Sequence, residues 1–141
     1  MARLDERAAD LAHHFAEAAA GGGVERAIGY AQRAARVAAG AAAHDEAVGW
    51  YRRALELHDA EPGDGDDGAR VDLLIALGGA ELAAGSPVYR DHLLAAGAMA
   101  QRLGDTERMV RATIANTRGF YSEYGGVDQE RVDALEAALV V

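Results

Sequence analysis

The sequence predicts an all-α fold in which antiparallel helix pairs stack into a right-handed superhelix of about seven helices. Apolar residues recur at helical spacing along nearly the whole chain, and no segment alternates as a strand would. A pattern of small and large apolar residues also returns after 43 residues, from Ala35 to Gly78, and again after 41, at Gly119. A self-similar period of this size is typical of helical solenoids.

Composition supports close helix packing rather than a core of large side chains. The chain has 141 residues, the size of one ordinary domain. Half of its residues are hydrophobic, but many of these are alanine, and only 6% are aromatic. Alanine is the strongest helix former and has little side chain to bury. We therefore expect helices whose backbones approach each other closely.

Helices are expected at 4–19, 24–40, 44–59, 69–84, 87–103, 105–121 and 128–140. Glycine-rich or acidic breaks separate them, namely "GGG" (21–23), "EPGDGDDG" (61–68), "GS" (85–86) and "YGG" (124–126). Asp105 and Asp128 are expected to cap the last two helices. Ser86 followed by Pro87 predicts a cap and a first helical residue at 87.

The helices fall into pairs that share one pattern of residue sizes. A small residue lies in each first helix, and positions 12, 16 and 19 residues later complete the unit. The aligned sets are Ala35, Gly78, Gly119; Ala47, Arg90, Arg131; Tyr51, Leu94, Leu135; and Ala54, Gly97, Ala138. Small residues permit close approach, and the large residue is expected to wedge between the helices. The units are 24–60, 69–104 and 105–141, with 1–20 as a partial repeat.

This pattern resembles the tetratricopeptide repeat. The match is carried by Ala35, Ala47, Tyr51 and Ala54, and by "ALGGAELAAG" (76–85), which is similar to the Leu-Gly of that repeat's first helix. The units are longer than the usual ~34 residues, and arginine stands at 90 and 131 where that repeat prefers alanine. A divergent, tetratricopeptide-like branch is therefore indicated.

A wider resemblance covers nearly the whole chain. The segments "LAHHFAEAA", "YAQRAARVAAGAAAHDEAVGWYRRALEL", "LGGAELAAGSPVYRDHLLAAGAMAQRLGD" and "NTRGFYSEYGGVDQERVDALEAAL" occur in that order. Together they resemble the helical region of large actinobacterial ATP-binding LuxR-type transcriptional regulators and related multidomain ATPases, some of them fused to nucleotide cyclases. The resemblance implies a sensor and scaffold region, with ATP and DNA handled by other domains. Both ends fall inside helical patterns, so we expect a fragment of a larger protein.

A solenoid of this kind has a concave face lined by first helices, and this face is the predicted binding surface for a protein, a peptide or a small effector. Its alternative is self-association through apolar helix faces, giving a homodimer. The residues predicted to form the concave face are Gln32, Arg36, Asp72, Thr113, Asn116, Phe120 and Glu123, together with Gly29, Ile75 and Gly79.

Other chemistry-bearing residues have simpler structural interpretations. Asp10, His13, His14 and Glu17 share a helix, but adjacent histidines point about 100° apart, so packing is favoured over a metal site. "DGDDG" (64–68) lacks the glutamate of a calcium loop and indicates a linker. We expect Trp50 at an interface between units. The cluster Phe120, Tyr121 and Tyr124 is expected in a core seam, with a ligand pocket as the alternative.

The arginines at 90 and 131 are expected to pair with acids, for which Glu81, Asp91 and Glu130 are available. An anion site is the alternative interpretation. Both arginines occupy positions between helices in the repeat pattern.

The net charge of −9 argues against direct binding to nucleic acid or to anionic membranes. All 14 basic residues are arginine and there is no cysteine, so neither a lysine-dependent phosphate loop nor thiol chemistry is available. No nucleophile–base set or metal motif stands out. We therefore expect a non-enzymatic module without cofactor or metal. The absence of a signal peptide or a spanning apolar run predicts a cytoplasmic protein without membrane contact.

Overall fold

The structure, a computed structural model, describes residues 10, 14, 17, 23–60, 66–117 and 129–140. All regular structure in these ranges is α-helical, which confirms the all-α class. Asp10, His14 and Glu17 are helical, and the rest of the predicted first helix lies outside the described residues. The remaining helices are α1 (Val24–Gly40), α2 (His44–Ala60), α3 (Asp67–Ala83), α4 (Tyr89–Leu103), α5 (Thr106–Ala115) and α6 (Gln129–Leu139).

The chain forms two compact units, which divide between Gly65 and Asp66. In the first, α1 packs along α2 as a helical hairpin. Every buried residue in its range 23–60 is an alanine: Ala27, Ala31, Ala34, Ala35, Ala38, Ala47 and Ala54. Large apolar side chains such as Val48, Tyr51 and Leu55 are half-buried around this seam. The two helices therefore meet through methyl groups, as the composition predicted.

The turn between α1 and α2 is closed by backbone hydrogen bonds. Ala43 N donates to Ala38 O at 2.9 Å and Ala42 N donates to Ala39 O at 3.1 Å, the pair of bonds that defines a Schellman motif. Ala42 has φ 59°, a left-handed conformation that L-residues other than glycine rarely adopt. The turn between α3 and α4 has the same bonds, with Gly85 (φ 74°) at the matching position, 43 residues later.

Replacing Ala42 with glycine is therefore expected to raise the free energy of unfolding of the first unit by about 1 kcal/mol. Glycine removes the left-handed backbone strain, which costs roughly 1–2 kcal/mol. Part of this gain is lost because glycine loses more conformational entropy on folding than alanine does. The adjacent Ala41, at φ −92°, is the matched control. Ala41→Gly should leave stability unchanged or lower it. Urea unfolding followed by the fluorescence of Trp50, the single tryptophan, measures both. A stability gain of equal size in the two variants would contradict the strain argument.

In the second unit α3, α4 and α5 pack consecutively, and α3 also contacts α5. The fully buried side chains at its centre include Val71, Leu73, Leu77 and Leu93. The helix α6 contacts α5 and, to a lesser extent, α4, and none of its residues is fully buried. Helix α3 begins at an N-cap, Asp66, whose carboxylate accepts from Ala69 N at 3.1 Å.

The small residues that define the repeat lie against neighbouring helices where the structure describes them. Ala35 is fully buried. A Cβ placed on Gly78 would lie 2.6 Å from Leu93 Cγ and 3.3 Å from Tyr89 O, so α3 and α4 touch where a side chain would not fit. Gly119 lies outside the described residues. The close approach of helices at Ala35 and Gly78 is confirmed.

Three local predictions are wrong. Ser86 does not cap α4: Pro87 and Val88 form a turn and the helix begins at Tyr89, while Ser86 N closes the end of α3 by donating to Glu81 O at 2.9 Å. The predicted helix 105–121 ends at Ala115, where Thr117 Oγ1 donates to Ile114 O at 2.5 Å and competes with helix continuation. Leu135 does not wedge between helices, since it is 40% exposed.

Candidate functional site

A cavity of about 450 Å³ lies between α4, α5 and α6 in the second unit. Its size falls in the range of small-molecule sites, about 300–1,000 Å³. Alanine, glycine, leucine and methionine form most of the wall, and five polar residues complete it. The lining residues are Leu93, Leu94, Gly97, Ala98, Gln101, Met109, Ala112, Thr113, Asn116, Glu130, Asp133, Ala134 and Ala137.

The small residues of the repeat pattern explain why α4 and α5 approach each other closely beside the cavity. A Cβ on Gly97 would lie 3.8 Å from Ala112 Cβ, an ordinary van der Waals contact, so these helices approach through small residues. Ala112 is fully buried. Small side chains here, and at Ala134 and Ala137 on α6, leave the space between the three helices unfilled.

Two polar residues, Thr113 of α5 and Asn116 at the C-cap of that helix, belong to the buried wall. Thr113 is 7% exposed and its hydroxyl donates to Met109 O at 2.9 Å. Asn116 is 3% exposed, and its Oδ1 accepts from Arg131 Nη2 at 3.2 Å. A guanidinium only donates, so this contact fixes the amide orientation. The described residues provide no acceptor for Asn116 Nδ2.

Arg131 connects the start of α6 to the other two helices. Besides Asn116, it donates to the hydroxyl of Tyr89 at 2.7 Å, and its guanidinium lies 6.0 Å from the centre of the Tyr89 ring. Tyr89 is buried at the first residue of α4. In these contacts Arg131 binds a phenol and an amide, and its pairing with an acid stays a prediction.

Two carboxylates of α6 form the acidic edge of the cavity. Glu130 Oε2 accepts from Arg90 Nη2 at 2.5 Å, one of the acid–arginine pairs that the sequence allowed. Asp133 Oδ1 accepts from Gln129 Nε2 at 2.8 Å. Each carboxylate uses one oxygen in these bonds, and the described residues offer no donor to the other. The cavity therefore joins an apolar body to an edge of hydrogen-bond acceptors.

An ion network on another side of the same unit joins α3 to α5. Asp72 Oδ2 accepts from Arg108 Nη2 at 2.9 Å, and Asp72 Oδ1 accepts from Arg111 Nη1 at 2.9 Å. Asp105 caps α5 as predicted, accepting from Arg108 N at 2.9 Å. This backbone bond, with a side-chain bond from Arg108, holds the pKa of Asp105 below its usual value. The bonds to Asp72 and Asp105 raise the pKa of Arg108.

A buried acid–histidine pair joins α3 to α4. Glu81 is fully buried, and its Oε2 lies 2.7 Å from His92 Nδ1, whose side chain is 27% exposed. Glu81, considered in the sequence as a partner for arginine, is in contact with this histidine. The pair lies outside the cavity lining.

The predicted concave-face residues are distributed between the two units. Gln32 is half-buried and Arg36 exposed on α1, in the first unit. Asp72 is engaged by Arg108 and Arg111. Of the set, Thr113 and Asn116 line the cavity, whereas Phe120 and Glu123 lie outside the described residues. Of the additional positions, Ile75 is half-buried, and Gly29 and Gly79 are exposed.

Sequence reasoning did not identify the α4 and α6 sides of the cavity. Glu130 and Asp133 are three residues apart, so they share a helix face with Ala134 and Ala137. That acidic and small-residue face was visible in the sequence. Its position opposite Leu94 and Gly97 was not, because it depends on how α6 packs.

The histidine, acid and aromatic residues considered as alternatives have local partners. His14 stacks on Tyr30, with ring centres 5.8 Å apart, and its Nδ1 lies 3.7 Å from Glu17 Oε2. Trp50 Nε1 donates to Glu46 Oε1 at 3.4 Å. Across the described residues, no cluster of three or more potential ligands could hold a metal ion. Tyr121 and Tyr124 lie outside those residues.

No family model, no curated protein and no solved structure matches this chain. Within the described ranges, no helix is both long enough and apolar enough to cross a bilayer.

Proposed function

We propose that this chain is a non-enzymatic helical-repeat sensor module that binds a small effector in the cavity between α4, α5 and α6. The cavity carries the proposal, because it combines an apolar body with a few convergent polar groups, as ligand sites do. The buried Asn116, with an amide nitrogen that lacks an acceptor among the described residues, is consistent with a bound partner.

The wider context of this proposal is the sensor region of an ATP-dependent LuxR-type regulator in the cytoplasm. Support comes from the ordered helical segments that resemble that region. The packing of α3 against both α4 and α5, with the close contact at Gly78 and matched turns 43 residues apart at Ala42 and Gly85, supports a tetratricopeptide-like superhelix. A protein or peptide bound on the concave first-helix face is the broader form of the same hypothesis.

The test is a fragment screen by NMR with a cavity-filled variant. Ala134→Leu places a larger side chain at a half-buried lining position. Ala138→Leu is the matched control, since Ala138 is half-buried on the same helix but does not line the cavity. Fragments of mixed charge should bind wild type and Ala138→Leu, and lose binding in Ala134→Leu. If no fragment shows this dependence while circular dichroism shows intact helices, the cavity is not an effector site.

Self-association is the second candidate, favoured by the exposed apolar residues of α6. Leu135 is 40% and Leu139 is 83% exposed, and their spacing of four places them on one helix face. Sedimentation velocity at several dilutions distinguishes the candidates. A dimer that persists on dilution and dissociates in Leu139→Glu supports self-association, whereas a wild-type monomer excludes it.

A further inference from the structure

The cavity between α4, α5 and α6 has a polarity that selects among ligands. Its thirteen lining residues include two carboxylates, Glu130 and Asp133, and no basic side chain. Arg90 partly neutralises Glu130, while Asp133 is bonded by the uncharged amide of Gln129. Asp133 therefore presents to the cavity a carboxylate that no arginine bonds among the described residues, while the nearby Arg131 guanidinium is bonded to Asn116 Oδ1. A cationic group of a ligand can form a charge-assisted hydrogen bond with this carboxylate, and an anionic group cannot.

The buried amide of Asn116 adds an independent requirement. Arg131 occupies its Oδ1, so Nδ2 is the group left to interact within the cavity wall. Nδ2 has no acceptor among the described residues, and a ligand oxygen in the cavity would supply one. The carboxylates of the acidic edge accept hydrogen bonds, and Asn116 Nδ2 donates one. A ligand that satisfies both therefore carries a hydrogen-bond donor and a hydrogen-bond acceptor.

We propose that the cavity binds a small organic cation that combines an ammonium group, a carbonyl oxygen and an apolar body. The ammonium group donates to Asp133 and Glu130, the carbonyl oxygen accepts from Asn116 Nδ2, and the apolar body contacts Leu93, Leu94 and Met109. This inference rests on the proposed function, because it names the chemical class of the effector.

Three phenylalanine derivatives share the apolar ring and the carbonyl oxygen but differ in charge. Phenylalanine amide is a cation, N-acetylphenylalanine amide is neutral, and N-acetylphenylalanine is an anion. Their dissociation constants are measured by NMR titration, following resonances of α4, α5 and α6. The cation should bind most tightly, the neutral compound about tenfold more weakly, and the anion not measurably.

Asp133→Asn should weaken the binding of phenylalanine amide about tenfold, and Asn116→Ala should weaken both amides. Asp91→Asn is the matched control, because it removes one exposed carboxylate of α4 that does not line the cavity, and it should bind like wild type. The inference is overturned if the anion binds as tightly as the cation, if Asp133→Asn and Asp91→Asn behave alike, or if none of the three compounds binds. Cavity-dependent binding of other fragments would then leave the proposed function standing.

Discussion

Replacing Gly78 with alanine is expected to lower the free energy of unfolding of the second unit by about 1–2 kcal/mol. The added Cβ would lie 2.6 and 2.8 Å from Leu93 Cγ and Cδ2 and 3.3 Å from Tyr89 O. The Tyr89 oxygen belongs to the backbone of α4, and Leu93 is only 1% exposed, so the added methyl group forces a change in the Leu93 rotamer or in the spacing of the two helices. Overpacking of this kind costs roughly 1–3 kcal/mol, against a gain of about 0.5–1 kcal/mol from replacing a helical glycine.

The neighbouring Gly79 supplies the control for this substitution. It lies in the same helix, is exposed, and a Cβ there meets nothing within 4 Å. Gly79→Ala should therefore raise stability by about 0.5–1 kcal/mol. Hydrogen exchange in peptides from 66–117 at increasing urea reads the second unit alone, which matters because the two units need not unfold together. Equal effects of the two variants would show that the contact at Gly78 is not tight.

Truncating His92 to alanine is expected to lower the free energy of unfolding by about 2–3 kcal/mol. The change removes the group 2.7 Å from the buried Glu81 carboxylate, and leaving a buried charge without its partner is among the costlier substitutions. Glu81 makes further contacts, so the loss should stay below the roughly 3–5 kcal/mol of a fully isolated buried charge.

A double-mutant cycle tests whether charge is the cause. Glu81→Gln keeps the side-chain shape but removes the charge, and in that background His92→Ala should cost at least 1 kcal/mol less than in wild type. The free energies of unfolding of the four proteins in the cycle are measured by hydrogen exchange in peptides from 66–117 at increasing urea. If the cost of His92→Ala is the same in both backgrounds, it arises from lost packing of the imidazole and not from the pair.

Helix positions were predictable where periodicity and breaks agreed. The segments predicted at 24–40 and 44–59 match Val24–Gly40 and His44–Ala60, since apolar spacing and the break at 21–23 bound them. The end of α5 at Ala115 was not predictable from apolar spacing, because local hydrogen bonds such as that of the Thr117 hydroxyl to Ile114 O do not depend on that spacing. Helix boundaries set by a single side-chain bond carry little periodic signal.

The candidate site was predictable only in part. Thr113 and Asn116 were named from repeat geometry, and both line the cavity. The spacing of Asp72 to Arg108 and Arg111, 36 and 39 residues, carried no recognisable motif, although these residues form the network between α3 and α5. Contacts of this kind depend on how helices pack in three dimensions, and a single sequence does not record that.

The alanine seam of the first unit has a thermodynamic consequence. Its buried residues between 23 and 60 contribute only methyl groups to the interior, whereas the second unit buries Leu73, Leu77 and Leu93. The heat capacity of unfolding scales with the apolar surface exposed, so the hairpin of α1 and α2 should contribute the smaller increment per residue. Its stability should accordingly change less steeply with temperature, and calorimetric melting should register it as the broader of two transitions.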